Sequence, residues 1–196
     1  ILADGAMETV LAPLADVPLT RGGTIGFQVE NVLAAAAATW ALGLDLDAVR
    51  AGLAEFGREP EQVPARFEVV ETQGGTVVLD YVHNPSALIA LTGALEGLPH
   101  DRRTIVFTVA GDRRDADIVR QGELLGTHFD RVILYEGNCN RGRPDGEVIA
   151  LMRQGLKRGG RVQAVEESRG EWPTVERALR ALQPGELLVV QIDNVP

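Results

Sequence analysis

Lysine is almost missing from this chain. Lys157 is the only one among 19 basic residues in 196, so arginine carries nearly all the positive charge. Arginine suits bidentate recognition of carboxylates and phosphates. The basic residues are outnumbered by 28 acidic ones, and the net charge of -9 argues against binding to nucleic acid or to an anionic membrane. Cysteine is as scarce. Cys139 stands alone, which excludes an internal disulfide and fits a reducing compartment, so a cytoplasmic location is expected. It sits in a polar loop and reads as an ordinary loop residue rather than a nucleophile. No apolar run reaches the ~18 residues of a membrane span. The stretch "LAAAAATWALGL" is too short and too rich in alanine. There is no signal peptide and no initiator methionine; the chain opens on "ILADGAMETV" and stops on "QIDNVP", and is expected to be part of something longer. Phosphate cradles of the GxxxxGKS/T or GxGxxG type are absent. So are metal-ligand spacings and a GxSxG nucleophile elbow, and no catalytic nucleophile is assigned.

What is present is a core and a pattern. Hydrophobic residues make up 45% of the chain, enough for one large domain, or for one domain with a piece of another. Residues 1–22 read as strand or loop ending in a turn at Gly22-Gly23. The spacing predicts a buried helix over 31–42, stopped by Gly43. A second helix, over 45–56, is capped by Asp45 or Asp47, with Val49, Leu53 and Phe56 on one face. The polar segment 57–65, with two prolines, reads as a linker. From Arg66 two strands flank a hairpin signal at Gln73-Gly74-Gly75. Helices and strands then alternate to the end, with a strand expected over 161–166. Continuous apolar strands joined by crossover helices predict an α/β fold with a mostly parallel sheet covered on both faces. Ligands in such sheets sit at the carboxyl ends of the strands.

Three strand ends hold the polar residues: "DYVHNP" at Asp80–Pro85, "AGDRRD" at Ala110–Asp115 and "YEGNCNRGRPDGE" at Tyr135–Glu147. Asp80 either caps the helix that Pro85 opens or accepts hydrogen bonds from a ribose diol. In the second case His83 and Asn84 face phosphate beside a helix N-terminus. Arg113 either belongs to a salt-bridged capping loop or grips a carboxylate or phosphate. Arg141 and Arg143 flank Gly142 in a loop that is weak evidence alone.

These motifs carry a resemblance. "LDYVHNPSAL" resembles the motif that opens the C-terminal domain of the Mur ligase superfamily, which includes folylpolyglutamate synthetases. "VPARFEVV" resembles the "PGR(F/M)E" stretch before it, and "GFQVENVLAAAAA" the "FNxxNxxAA" helix near the end of the central ATPase domain. "AGDRRDADIVRQGELLGTHFDRVILYE" with "RGRPDGEVIALMRQGL" is similar to the Mur-like half of the cyanophycin synthetases. The resemblance implies a Rossmann-like C-terminal domain over 66–196, a linker over 57–65 and a helical remnant of the central ATPase domain over 1–56. It implies an ATP-dependent ligase, with ATP and Mg2+ in the complete enzyme, that adds arginine to a carboxylate of an acidic peptide. The upstream ATPase domain of the same chain is then a partner, and a second copy of the chain stays open as another. Residue by residue, Asn31 is implied at adenine, Arg66 at the nucleotide, Asp80 at ribose, and His83 with Asn84 on the phosphate side. Arg113 is implied at the incoming amino acid, with Arg141 and Arg143 near its carboxylate. Gln28 stands where the family has a further asparagine, and the family's "DNPR" is absent. Without a phosphate loop, the chain alone is expected to be inactive. Two alternatives remain: a non-catalytic nucleotide or small-ligand module, and a Mur-like ligase with another amino-acid substrate.

Overall fold

Six strands from Arg66 onward form one sheet, in the order β3-β4-β8-β5-β6-β7. They are β3 (Arg66–Thr72), β4 (Gly75–Asp80), β5 (Arg102–Phe107), β6 (Arg131–Glu136), β7 (Ala164–Arg169) and β8 (Glu186–Gln191). Their geometry comes from a computed structural model that describes residues 1–59, 62–137 and 141–192. Cys139 lies outside the described residues. Only β3 runs antiparallel to its neighbour, and the other four pairings are parallel. The crossovers are α3 (Pro85–Leu95), α4 (Asp115–His128), α5 (Glu147–Leu156) and α6 (Glu171–Arg180).

Both faces of the central strands β4, β8, β5 and β6 are largely buried, which is why those strands read as continuous apolar runs, whereas the edge strands β3 and β7 are mostly exposed. Val77, Val106, Ile133, Tyr135, Leu188 and Val190 form one face and bury Ala178 of α6, with Val175 packed beside it. The alternate residues Val78, Ile105, Phe107, Val132, Leu134 and Val189 are no more exposed. Period-2 alternation turns them to the opposite face. Right-handed crossovers place α3, α4 and α5 there, because those connections advance across the sheet while α6 returns.

Helices α4 and α5 pack through glycine. A Cβ on Gly155 would lie 2.0 Å from the Val119 carbonyl oxygen, and one on Gly122 would lie 2.2 Å from that of Met152. Gly126 and Gly159 meet the same way one turn further on. The two GxxxG spacings, 122/126 and 155/159, therefore face each other and bring backbone against backbone.

The chain divides into two compact units between Pro64 and Ala65. The first unit begins with a short hairpin, β1 (Leu2–Asp4) against β2 (Met7–Thr9). Two 3-10 turns follow, at Leu14–Asp16 and Pro18–Thr20, where strand or loop was expected. Thr20 is buried and its hydroxyl donates to the carbonyls of Leu14 and Val17, which closes the turns on each other.

Helix α1 (Gly26–Ala41) starts five residues before the expected Asn31. It is apolar nearly all round, yet only Gln28, Val32 and Ala36 are buried, so the expected buried helix is buried on one face. Helix α2 (Leu46–Glu55) takes Asp45 as its cap, with Oδ2 accepting from the amides of Asp47 and Ala48. Phe56, expected on its buried face, is half exposed. Strand β7 falls at 164–169 rather than 161–166. Its leading residues are held elsewhere: the amides of Arg161 and Val162 bond the Gly126 carbonyl, and the Arg161 guanidinium bonds both oxygens of Asp130.

Candidate functional site

Because β4, β8, β5, β6 and β7 are parallel, their carboxyl ends share one edge of the sheet. The three polar stretches follow β4, β5 and β6 and therefore stand along that edge. The nearest to β3 centres on Asp80.

Asp80 is buried, with 8% of its surface exposed. Its Oδ2 accepts the Phe67 amide at 2.8 Å. This bond exists because β3 bulges between Arg66 and Glu68. Phe67 adopts φ +57° and Ala65 φ +52°, conformations unfavourable for residues with a Cβ. The bulge turns the Phe67 amide inward to the carboxylate and leaves Arg66 on the outside. Burial pushes the Asp80 carboxyl up to about 6, against the Phe67 amide and the charges of Arg66 and His83, which pull it down. Asp80 does not cap α3. Asn84 does, its Oδ1 accepting the Ala87 amide at 2.9 Å with Pro85 as first helical residue.

Arg66, Tyr81 and His83 line up beside Asp80. The Arg66 guanidinium lies 5.0 Å from the Tyr81 ring centroid, within cation–π range. The Tyr81 and His83 rings are 4.9 Å apart at 56°. His83 Nδ1 is 2.9 Å from the Tyr81 carbonyl, to which it donates, so in the neutral ring Nε2 is the acceptor. A buried carboxylate, a cation over an aromatic ring and the start of α3 thus sit together at the end of the β3–β4 ladder. This suits a polyhydroxylated, anionic ligand such as a nucleotide. Gln191 ends β8 in register with Asp80 and is buried, its Oε1 accepting the Thr108 amide at 3.2 Å. Neither Tyr81 nor Gln191 was singled out from the sequence. The aromatic between Asp80 and His83 was the available signal for the first.

The second group follows β5 and β6. Arg113 is exposed and only 4.0 Å from Asp112. Asp112 is bonded by Arg141 Nη1 at 3.1 Å, which holds its carboxyl below the usual range. Arg143 is engaged differently. Nε donates to the Gly111 carbonyl, Nη1 to Glu147, and Nη2 to the Arg113 carbonyl at 2.8 Å and to Asp115 at 2.7 Å. With its fork taken up by protein, Arg143 staples the two loops together. Arg113, loosely paired with Asp112, stands on the loop that Arg143 fixes. Asn31 belongs to the first unit, where it is exposed and its Nδ2 donates to Gln28 Oε1 at 3.0 Å. Among the described residues no three acidic, histidine or cysteine groups gather to hold a metal ion, so the implied Mg2+ is assigned no ligands. Among them, too, no helix is long and apolar enough to cross a membrane.

A parallel α/β sheet with nucleotide-suited and carboxylate-suited groups along its carboxyl edge defines a ligand-binding domain of the nucleotide-dependent kind. The family is specific: residues 65–191 match the Mur ligase, glutamate ligase domain, and the chain belongs to the Mur ligase family. It is 32% identical over 179 residues to the cyanophycin synthetase of a Synechocystis strain, covering 91% of this chain and 20% of that protein. It is also 32% identical over 202 residues to the UDP-N-acetylmuramoyl-L-alanyl-D-glutamate--2,6-diaminopimelate ligase of Geobacter metallireducens, covering 95% of this chain and 38% of that one. Among solved structures, folylpolyglutamate synthase of Mycobacterium tuberculosis, complexed with ADP and AMPPCP, superposes with a TM-score of 0.63. The two are 26% identical over 84% of this chain and 37% of that one. The chain spans about a fifth of the length of the cyanophycin synthetases it matches.

Proposed function

We propose that this chain is the nucleotide-closing and amino-acid-positioning part of a ligase that joins arginine to a side-chain carboxylate of an acidic peptide. The observation that carries the reading is the buried Asp80, held by a strained bulge beside Arg66 and His83, within a domain whose relatives include cyanophycin synthetases. ATP supplies the phosphoryl group that turns the acceptor carboxylate into an acyl phosphate, from which the incoming amine displaces phosphate. Asp80 accepts hydrogen bonds from the ribose hydroxyls. Arg66, steadied by Tyr81, neutralises phosphate charge, and the start of α3 with His83 Nε2 faces the same group. Asn84 serves chiefly by fixing that helix start. Arg113 holds the carboxylate of the incoming amino acid, with Arg141 beside it, and Arg143 keeps their loops in register. Asn31 is assigned to adenine by family resemblance, and Mg2+ accompanies ATP on the same ground. Closure of this domain excludes water that would hydrolyse the acyl phosphate.

The test is amide formation and ADP release by the complete ligase with ATP, Mg2+, an aspartate-containing primer and each of arginine, lysine, glutamate and diaminopimelate. Preference for arginine is expected. The chain by itself should give no turnover, since the sequence contains no phosphate loop. Turnover by the isolated chain, or preference for another amino acid, would overturn the assignment.

A further inference from the structure

Beyond the staple of Arg143, the same sheet edge carries a groove of about 580 Å³ between the ends of β6 and β7 and helix α5. It is a ligand-sized space. Its place is set by topology. The connection after β6 leaves through α5 on one face of the sheet, and the connection after β7 leaves through α6 on the other. Adjacent parallel strands whose connections part in this way leave a crevice at their carboxyl ends, where open α/β sheets bind ligands. The parallel register sets Glu136 beside Arg169, and Glu167 beside Leu134 two residues earlier.

The lining has a definite chemistry. Glu136 and Glu167 supply carboxylates, Arg153 and Arg169 guanidiniums, and Ile149 with Ala150 an apolar wall. Glu136 receives the Gly146 amide on both oxygens, at 2.8 and 3.0 Å, and so stands fixed at the head of α5. Glu167 is paired with Nε of Arg153, both of them about half exposed. That pair shows what the Glu167 carboxylate accepts in this position: a guanidinium on an aliphatic stem, arriving along Ile149 and Ala150. An exposed ion pair of this kind contributes little and exchanges readily.

We propose that this groove is the side-chain subsite for the incoming amino acid, and that Glu167, with Glu136, selects a guanidinium by displacing Arg153. The inference rests on the ligase reading above, in which Arg113 takes the α-carboxylate. The order along the edge is then nucleotide at β4, carboxylate at β5 and guanidinium at the β6/β7 crevice. From β5 to that crevice is one and a half strand spacings, about 7 Å, the reach of one extended arginine side chain.

The experiment titrates isotope-labelled chain with L-arginine, agmatine and L-citrulline, following backbone amide shifts. Agmatine keeps the guanidinium without the carboxylate, and citrulline is the neutral isostere. Arginine and agmatine should move Gly146, Ile149, Ser168 and Arg169, and citrulline should not. Glu167→Gln should weaken arginine by up to about fivefold, as befits a partly exposed pair. Arg153→Ala, which removes the internal competitor, should tighten it, an outcome that partial misfolding does not produce. Arginine shifts confined to Gly111–Arg113, unchanged by Arg153→Ala, would overturn the groove and leave the amino-acid site standing. Shifts caused by an acidic amino acid and not by arginine would overturn both.

Discussion

Phe67 donates its backbone amide to Asp80 from a left-handed conformation, 2.8 Å across the β3–β4 bulge. Two unfavourable features, a strained backbone and a buried charge, meet in one hydrogen bond. Strain and burial of this sort persist where the surrounding fold holds them, and they concentrate at functional sites.

Asp80→Asn is expected to stabilise the free chain at neutral pH. The folded carboxyl is raised from 3.8 to about 6. A raised acid contributes stability that is complete below its unfolded value and is lost as pH rises through the folded one. At pH 7 the charge therefore costs on the order of 3 kcal/mol, and asparagine keeps the acceptor for Phe67 without it. Melting curves of both proteins between about pH 4 and pH 8 check this. The stability gap should open as pH rises and close at the acid end. A gap that ignores pH would mean that Asp80 does not titrate in this range.

In the complete ligase the same position should behave differently. Asp80→Ala should raise KM for ATP more than it lowers kcat, because a ribose contact is shared by ground and transition states. Arg113→Ala should raise KM for arginine and lower kcat, since a misplaced amine attacks slowly. Each loss should amount to roughly 1.5–3 kcal/mol, about ten- to a hundredfold. Steady-state kinetics with ATP and arginine varied separately distinguish the two. Unaltered arginine kinetics for Arg113→Ala would remove that residue from the amino-acid site.

Arg143→Lys should fail to replace arginine. A single ammonium cannot reach the Gly111 and Arg113 carbonyls together with Asp115 and Glu147. The expected readout is faster amide exchange in the β5–α4 loop and about tenfold weaker arginine binding, with KM for ATP unchanged. If loop exchange stayed slow, the staple would be dispensable.

Gly155→Ala should destabilise, although alanine is the better helix former by about 1 kcal/mol. The new methyl would lie 2.0 Å from the Val119 carbonyl. Overpacking of this kind costs about 1–3 kcal/mol or more. Urea titration gives the sign directly, and Gly93→Ala, whose Cβ meets nothing within 4 Å, is the control.

The sequence made the sheet legible where local and global signals agreed. β5, β6 and β8 are continuous apolar runs bounded by polar turns, and Gln73-Gly74 could only be a hairpin. β7 was misplaced by three residues because Arg161–Gln163 are also strand-like, and only their bonds to Gly126 and Asp130 exclude them from the strand. The sequence offers Asp80 as a cap of α3, but with Pro85 at the first helical position the cap falls on the residue just before it, Asn84. The staple was not readable, since three of Arg143's four partners lie 28 to 32 residues upstream. Nor was the groove, because Glu136 and Glu167 come to line one groove only through the parallel register of β6 and β7.

Strand β8 is the last of the described strands in sequence order and lies in the middle of the sheet, between β4 and β5. A ribosome delivers β3 and β4 first and β5, β6 and β7 later. Those two groups share no backbone hydrogen bond until residues 186–191 have emerged. Assembly of the sheet therefore waits for a keystone, a long-range step of the kind that slows folding. The half that bears Asp80 and the half that bears Arg113 cannot be assembled into one edge on a nascent chain that lacks it.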